Sequence, residues 1–157
     1  MPQERPLYTP DQRRRRDASG WTIVQGVLAP LQFLAFAISL LLVLRALATG
    51  QGYAVATASI LVKTLLLYAI MITGAVWERQ VFGRWLFAPA FWWEDAVSLV
   101  VLALHSFYLA ALIGGWLPPH ALLGVALAAY ATYVVNAAQY VLKFRLARLS
   151  APAALIA

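Results

Sequence analysis

FAPAFWWEDAVSLVVLALHSFYLAAL occupies residues 87–112. From Ala96 onward nearly every side chain is hydrocarbon or aromatic, and the apolar run continues to Trp116. A helix rising 1.5 Å per residue crosses ~30 Å of bilayer hydrocarbon in about 20 residues, so this block reads as a transmembrane helix. Two adjacent carboxylates, Glu94 and Asp95, open it, and His105 lies eleven residues beyond Glu94. Ionisable groups inside a lipid-spanning helix are costly, so each one needs a reason.

The rest of the chain follows the same pattern. Of 157 residues, 63% are hydrophobic and 11% charged, against roughly 25% charged in a soluble domain. The mean hydropathy is +0.76. Apolar blocks cover 21–48, 54–77, 95–116 and 120–142, each long enough to span. The expected fold is all-α: a polytopic integral membrane protein with four transmembrane helices. A basic segment 1–20 precedes the helical domain 21–142, an aromatic interfacial loop runs over 78–94, and a basic tail covers 143–157. The first block is too long for a signal-peptide core and reads as a retained helix. With no cysteine, disulfides and thiolate metal sites are excluded.

The net charge of +6 is unevenly placed. Arg5 and Arg13–Arg16 precede the first block, Arg79 and Arg84 lie between the second and third, and Lys143, Arg145 and Arg148 follow the fourth. The other two connections, 49–53 and 114–119, carry no Lys or Arg. This is the positive-inside distribution, and it predicts cytoplasmic termini and a cytoplasmic 78–94 loop. The basic clusters are therefore expected to meet anionic lipid rather than nucleic acid.

Depth and angle bring the polar residues together. With the first helix entering near Trp21, Gln32 lies ~16 Å deep. Lys63 in the second helix and His105 in the third reach similar depths of ~15–16 Å. At 100° per residue, Glu94, Ser98, His105 and Tyr108 share one face. Gln25, Gln32 and Ser39 share another, and Thr132, Asn136, Gln139 and Lys143 a third. Polar stripes cannot face lipid cheaply, so they are expected to converge on an internal polar cavity open toward the cytoplasmic half. Asp95 points about 100° away from Glu94.

Structural roles compete with functional ones at every position. Glu94 and Asp95 suit the free N–H groups of a helix start. His105, Asn136 and Gln139 suit interhelical hydrogen bonds, and Lys63 suits a carboxylate partner or snorkelling. Arg45 and the tryptophans Trp77, Trp85, Trp92, Trp93 and Trp116 suit interface anchoring. On residues alone, three classes stay open: an enzyme, a pigment-binding or assembly protein, and a small proton-coupled carrier. The aromatic loop, with Trp92 in it, favours a flat ligand over an ion.

Three stretches narrow the choice: YTPDQRRRRDASGWTIVQGVLAPLQF (8–33), VKTLLLYAIMITGAVWERQVFGRWLFAPAFWWED (62–95) and YATYVVNAAQYVLKFRLARL (130–149). Together they resemble the 3-vinyl bacteriochlorophyllide hydratases of bacteriochlorophyll biosynthesis, over roughly residues 8–149. The resemblance implies a hydro-lyase that adds water to the C3 vinyl group of chlorophyllide or bacteriochlorophyllide, giving a 1-hydroxyethyl group. It implies no cofactor, since the magnesium belongs to the substrate. It places the chain in the cytoplasmic or intracytoplasmic photosynthetic membrane of a bacterium. The partners it implies are the tetrapyrrole, the bilayer and other pigment-biosynthesis enzymes. Oligomeric state stays open.

The resemblance supplies no residue roles, so these come from placement. Hydration requires a proton on the terminal vinyl carbon, a stabilised cation beside the ring, and a base for the attacking water. A carboxylic acid among apolar groups can keep its proton near neutral pH. Glu94 and His105 are expected as the acid–base groups, with Asp95 the weaker acid. Axial ligation of the substrate magnesium is the competing role for His105. Arg84, then Arg79, is expected to read the substrate propionate through a two-pronged guanidinium contact. Lys63, Gln32, Asn136, Gln139 and Trp92 complete the expected binding set.

Overall fold

The computed structural model describes residues 6–149, which are all-helical with no strand among them. Its helices are α1 (Pro10–Ala18), α2 (Gly20–Thr49), α3 (Tyr53–Phe82), α4 (Trp92–Gly114) and α5 (Pro119–Leu149). The last four are long and apolar enough to cross a membrane. They are the four transmembrane helices expected from the hydropathy.

The bundle is inverted relative to a soluble protein. Ile72 and Ile113 are 68% and 85% exposed, whereas Lys63 and His105 are 0% and 1% exposed. Apolar side chains face the space that lipid fills, and these polar residues sit within the buried apolar core, because only protein can satisfy them there. Pro30 lies inside α2, which is tolerated more readily in a membrane helix than in a soluble one.

Helices extend past their oily blocks. α3 ends at Phe82 and is capped by Gly83 at φ 80°, so Glu78 and Arg79 are helical. α5 continues to Leu149 and carries Lys143, Arg145 and Arg148 with it. The expected 78–94 loop therefore shrinks to 83–91. Hydropathy marks the part of a helix in lipid, whereas the helix ends where a residue accepts a left-handed backbone. At the opposite end the α2–α3 turn uses Gly50 and Gly52, both at positive φ. There a side chain would strain the three-residue link.

The packing is uneven. α2 lies most extensively against α3 and α4 against α5, while the α2–α5 and α3–α4 contacts are thinner. The molecule is two tight hairpins joined along a seam. α1 was not anticipated as a helix. Thr9 and Gln12 form its capping box, and Tyr8 ties it to α3 by stacking on Phe82 at 5.8 Å. Burial pushes the Tyr8 hydroxyl up, and the Arg16 guanidinium, 4.6 Å over the ring, partly offsets this.

Candidate active site

Two polar networks lie between the helices. The first lies at the end that carries the 83–91 loop. Lys143 Nζ from α5 is 2.8 Å from both carboxylate oxygens of Glu94, and it also donates to the Ala90 carbonyl. Asn136 donates to the Glu94 backbone carbonyl at 2.9 Å and to Gln139 Oε1 at 3.3 Å. Ser98 Oγ lies 3.0 Å from Asn136 Oδ1 and 2.7 Å from the Glu94 carbonyl. Beside them, Asp95 accepts the Phe87 N–H at 2.8 Å, and Glu78 accepts the Ala88 N–H at 2.6 Å. The Glu78 and Asp95 carboxyls are electrostatic neighbours, and Tyr140 lies near Asp95.

The second network lies midway along the helices. Lys63 Nζ is 2.9 Å from His105 Nε2, and His105 Nδ1 is 2.8 Å from the Val101 carbonyl. A carbonyl only accepts, so Nδ1 carries the hydrogen and Nε2 offers its lone pair to Lys63. Among the described residues Lys63 forms no ion pair. Its ammonium instead sits 3.8 Å from the Tyr133 ring centroid and 5.4 Å from that of Tyr130. The Tyr130 ring is 5.8 Å from His105, and its hydroxyl is 2.6 Å from Ser39, itself 2.8 Å from Ser59.

The two networks are about 16 Å apart along α4, eleven residues at 1.5 Å each. Glu94 and His105 share the buried face of α4 as expected, but their functional atoms meet different partners. Where the stripes meet, polar groups pair directly, Lys63 with His105 and Asn136 with Ser98 and the Glu94 carbonyl. Two clefts lie elsewhere. One of about 480 Å³ is lined by Ala18, Ser19, Gly20, Trp21, Val24 and Gln80. The other, about 200 Å³, opens between α2 and α5 against Phe36, Leu40, Leu127, Tyr130, Ala131 and Val134.

Most of the other expected residues also find places. Gln32 is buried on α2. Arg79 is exposed and donates to the Gly83 carbonyl. Arg84 is exposed on the loop, 3.4 Å from the Phe87 carbonyl. Trp92 is half-exposed, its ring 5.6 Å from Phe87.

The model of the 2-vinyl bacteriochlorophyllide hydratase family matches residues 8–146. The chain belongs to this family. Among these hydratases, that of Cereibacter sphaeroides is 66% identical over 151 residues, covering 96% of this chain and 93% of the relative. That of Rhodobacter capsulatus is 61% identical over 150 residues, covering 96% and 87%. Position 2 in the family description and position 3 in the resemblance above are two names for the same vinyl-bearing position. No solved structure matches.

For a vinyl hydratase, the sequence reading left out Glu78 and Tyr140. Glu78 was placed in a loop, yet it lies eleven residues, about three turns, beyond the buried Leu67. Tyr140 continues the spacing of Tyr133 and Asn136 toward Lys143. Lys143 itself was assigned to topology and the polar stripe, not to Glu94.

Proposed function

We propose that the chain is a hydro-lyase of bacteriochlorophyll biosynthesis that adds water to the vinyl group of a chlorophyllide or bacteriochlorophyllide within the bilayer, with the Lys63–His105 pair as its proton-transfer group. Membership of the hydratase family carries the reaction. The pairing of Lys63 with His105, with no carboxylate ion pair to Lys63 among the described residues, supports the site.

The reaction converts CH=CH2 and H2O into CH(OH)–CH3. The protonated pair gives its proton to the terminal carbon, and the pair becomes neutral. The positive charge moves to the carbon beside the macrocycle. The Tyr133 and Tyr130 ring faces that hold the ammonium then face the new cation, so the charge stays within one aromatic cage. Water adds to that carbon and returns a proton to the pair, restoring the starting state. The α2–α5 cleft gives an apolar ligand a path from lipid as far as Tyr130, one ring from His105. Both His105 nitrogens are engaged, which favours the acid–base role over axial ligation of magnesium. The proposal includes no cofactor of the chain's own; the magnesium is the substrate's.

In this reading Glu94 serves chiefly as the counter-charge of Lys143, holding α5 against α4. Arg84, with Arg79 beside it, reads the propionate at the loop end. The basic residues of α1, the 83–91 loop and the end of α5 gather there, which supports a cytoplasmic orientation. The membrane is the cytoplasmic or intracytoplasmic photosynthetic membrane of a bacterium.

The test expresses the chain in membranes of a host without the pathway and supplies chlorophyllide. The product should gain one water in mass, carry oxygen from labelled water, and absorb at shorter wavelength as the vinyl group leaves conjugation. His105→Ala should lower kcat by about 10²–10⁴-fold, and Glu94→Gln by much less. If Glu94→Gln falls as far as His105→Ala at equal protein level, the acid lies at the loop end and the midplane assignment is wrong.

A further inference from the structure

The 83–91 loop is held by side chains from three helices. Phe87 adopts φ 61°, a left-handed conformation that a bulky side chain rarely takes. Such a backbone persists only where its surroundings over-determine it. Here the Phe87 N–H is bound by Asp95 of α4 and the next N–H, of Ala88, by Glu78 of α3. Lys143 of α5 holds the Ala90 carbonyl. Within the loop, Ala88 and Phe91 are themselves buried.

The two carboxyls are an unusual pair of clamps. Glu78 and Asp95 are 3% and 4% exposed, and neither is in an ion pair among the described residues. Each carboxyl accepts one loop N–H, Asp95 that of Phe87 and Glu78 that of Ala88. Glu94, Lys143 and Tyr140 are the other ionisable groups around the pair, and Glu94 and Lys143 already neutralise each other.

The held segment carries side chains suited to a flat, anionic ligand. Arg84 lies beside the Phe87 carbonyl, Phe87 meets Trp92, and Trp85, Trp92 and Trp93 are exposed. We propose that Glu78 and Asp95 are positioning residues for substrate binding, clamping the turn at Phe87–Ala88 so that Arg84 and the neighbouring aromatic rings meet the propionate and face of the macrocycle. This rests on the hydratase reading and on Arg84 as its propionate reader. Neither carboxyl touches the reacting vinyl group in this assignment.

The experiment compares Glu78→Ala with Glu78→Gln in the full-length chain in lipid nanodiscs. Glutamine keeps an oxygen for the Ala88 N–H and an N–H for Asp95, whereas alanine keeps neither. Glu78→Ala should raise KM about tenfold with kcat within about twofold of wild type, and Glu78→Gln should restore KM. Hydrogen exchange at residues 86–89 should quicken in Glu78→Ala alone, while peptides around Lys63 stay protected in both. If Glu78→Ala does not accumulate, Asp95→Ala against Asp95→Asn gives the same contrast. Equal loss of kcat in the alanine and amide variants would overturn the proposal, because it would mark a reacting acid. Unchanged loop exchange in Glu78→Ala would overturn it as well. The exchange readout needs no turnover, so wild-type chain that protects its loop but makes no hydrated product would sink the hydratase reading while leaving the clamp standing.

Discussion

The midplane and the loop end solve one problem, a charge buried among helices, in different ways. At the loop end Lys143 meets a carboxylate with both oxygens at 2.8 Å, and the backbone of a loop supplies further donors and acceptors. At the midplane no loop reaches in. Lys63 is held by an imidazole lone pair and the faces of two tyrosines. The loop-end charge is neutralised where it stands and ties helices and loop together. The midplane lysine has no such counter-charge among the described residues, and in the proposed mechanism its proton is the one that moves. On the proposed assignment, architecture and chemistry are separated by about 16 Å of α4.

The sharpest way to break this contrast is Lys63→Met. Turnover should fall by about 10²–10⁴-fold. Stability should fall by no more than about 1–3 kcal/mol, because methionine removes a buried charge but leaves His105 Nε2 unpaired. Retained turnover in a hydration assay would show that the midplane only packs. A smaller effect tests the loop end. Asn136→Ala removes contacts to the Glu94 carbonyl, Ser98 and Gln139, and should lower stability by about 1–3 kcal/mol. Unfolding in mild detergent would measure it, and no change would mean that Lys143 alone holds α5 in place.

The smallest effect belongs to a pair outside both networks. Arg14 beside Asp11 on α1 holds that carboxyl below the usual carboxylate range. A lowered folded value adds stability above the unfolded value of about 3.9 and loses it as pH falls through the folded one. The pair is exposed to solvent, so Asp11→Asn should leave the thermal midpoint at pH 7 unchanged within error. Any difference should shrink further on acidification from pH 5 to pH 3. A clear shift at pH 7 would give α1 a role in stability that its exposure denies.

Much of this was legible in the sequence. Hydrophobic length marked the four spans, and the 100° rotation placed Glu94, Ser98, His105 and Tyr108 on one buried face. Rise per residue put Lys63 and His105 at one depth, and they do pair. What rotation and depth do not encode is the choice of partner. An inward-facing residue meets whichever neighbour the facing helix presents, and Glu94 met Lys143 across the α4–α5 hairpin. Asp95, set about 100° from Glu94, is buried too, because the loop folds back over that side of α4. Glu78 was missed because charge and aromatic content suggest a loop, whereas the helix continues until Gly83 permits a stop.

The Lys63–His105 contact also sets an order of events during synthesis. The two residues are 42 positions apart, so a ribosome making about 5–20 residues per second delivers the histidine roughly 2–8 s after the lysine. In that interval the first hairpin resides in the translocon or the lipid with an ammonium that lacks its imidazole. A lysine at the centre of a span costs about 2.5–3.5 kcal/mol to insert, which the leucine-rich remainder of α3 must outweigh. A nascent chain halted before α4 should thus integrate α3 less completely than the finished protein, and Lys63→Leu should erase the gap. The group proposed here to move the proton is then also the one that makes the first hairpin wait for the second.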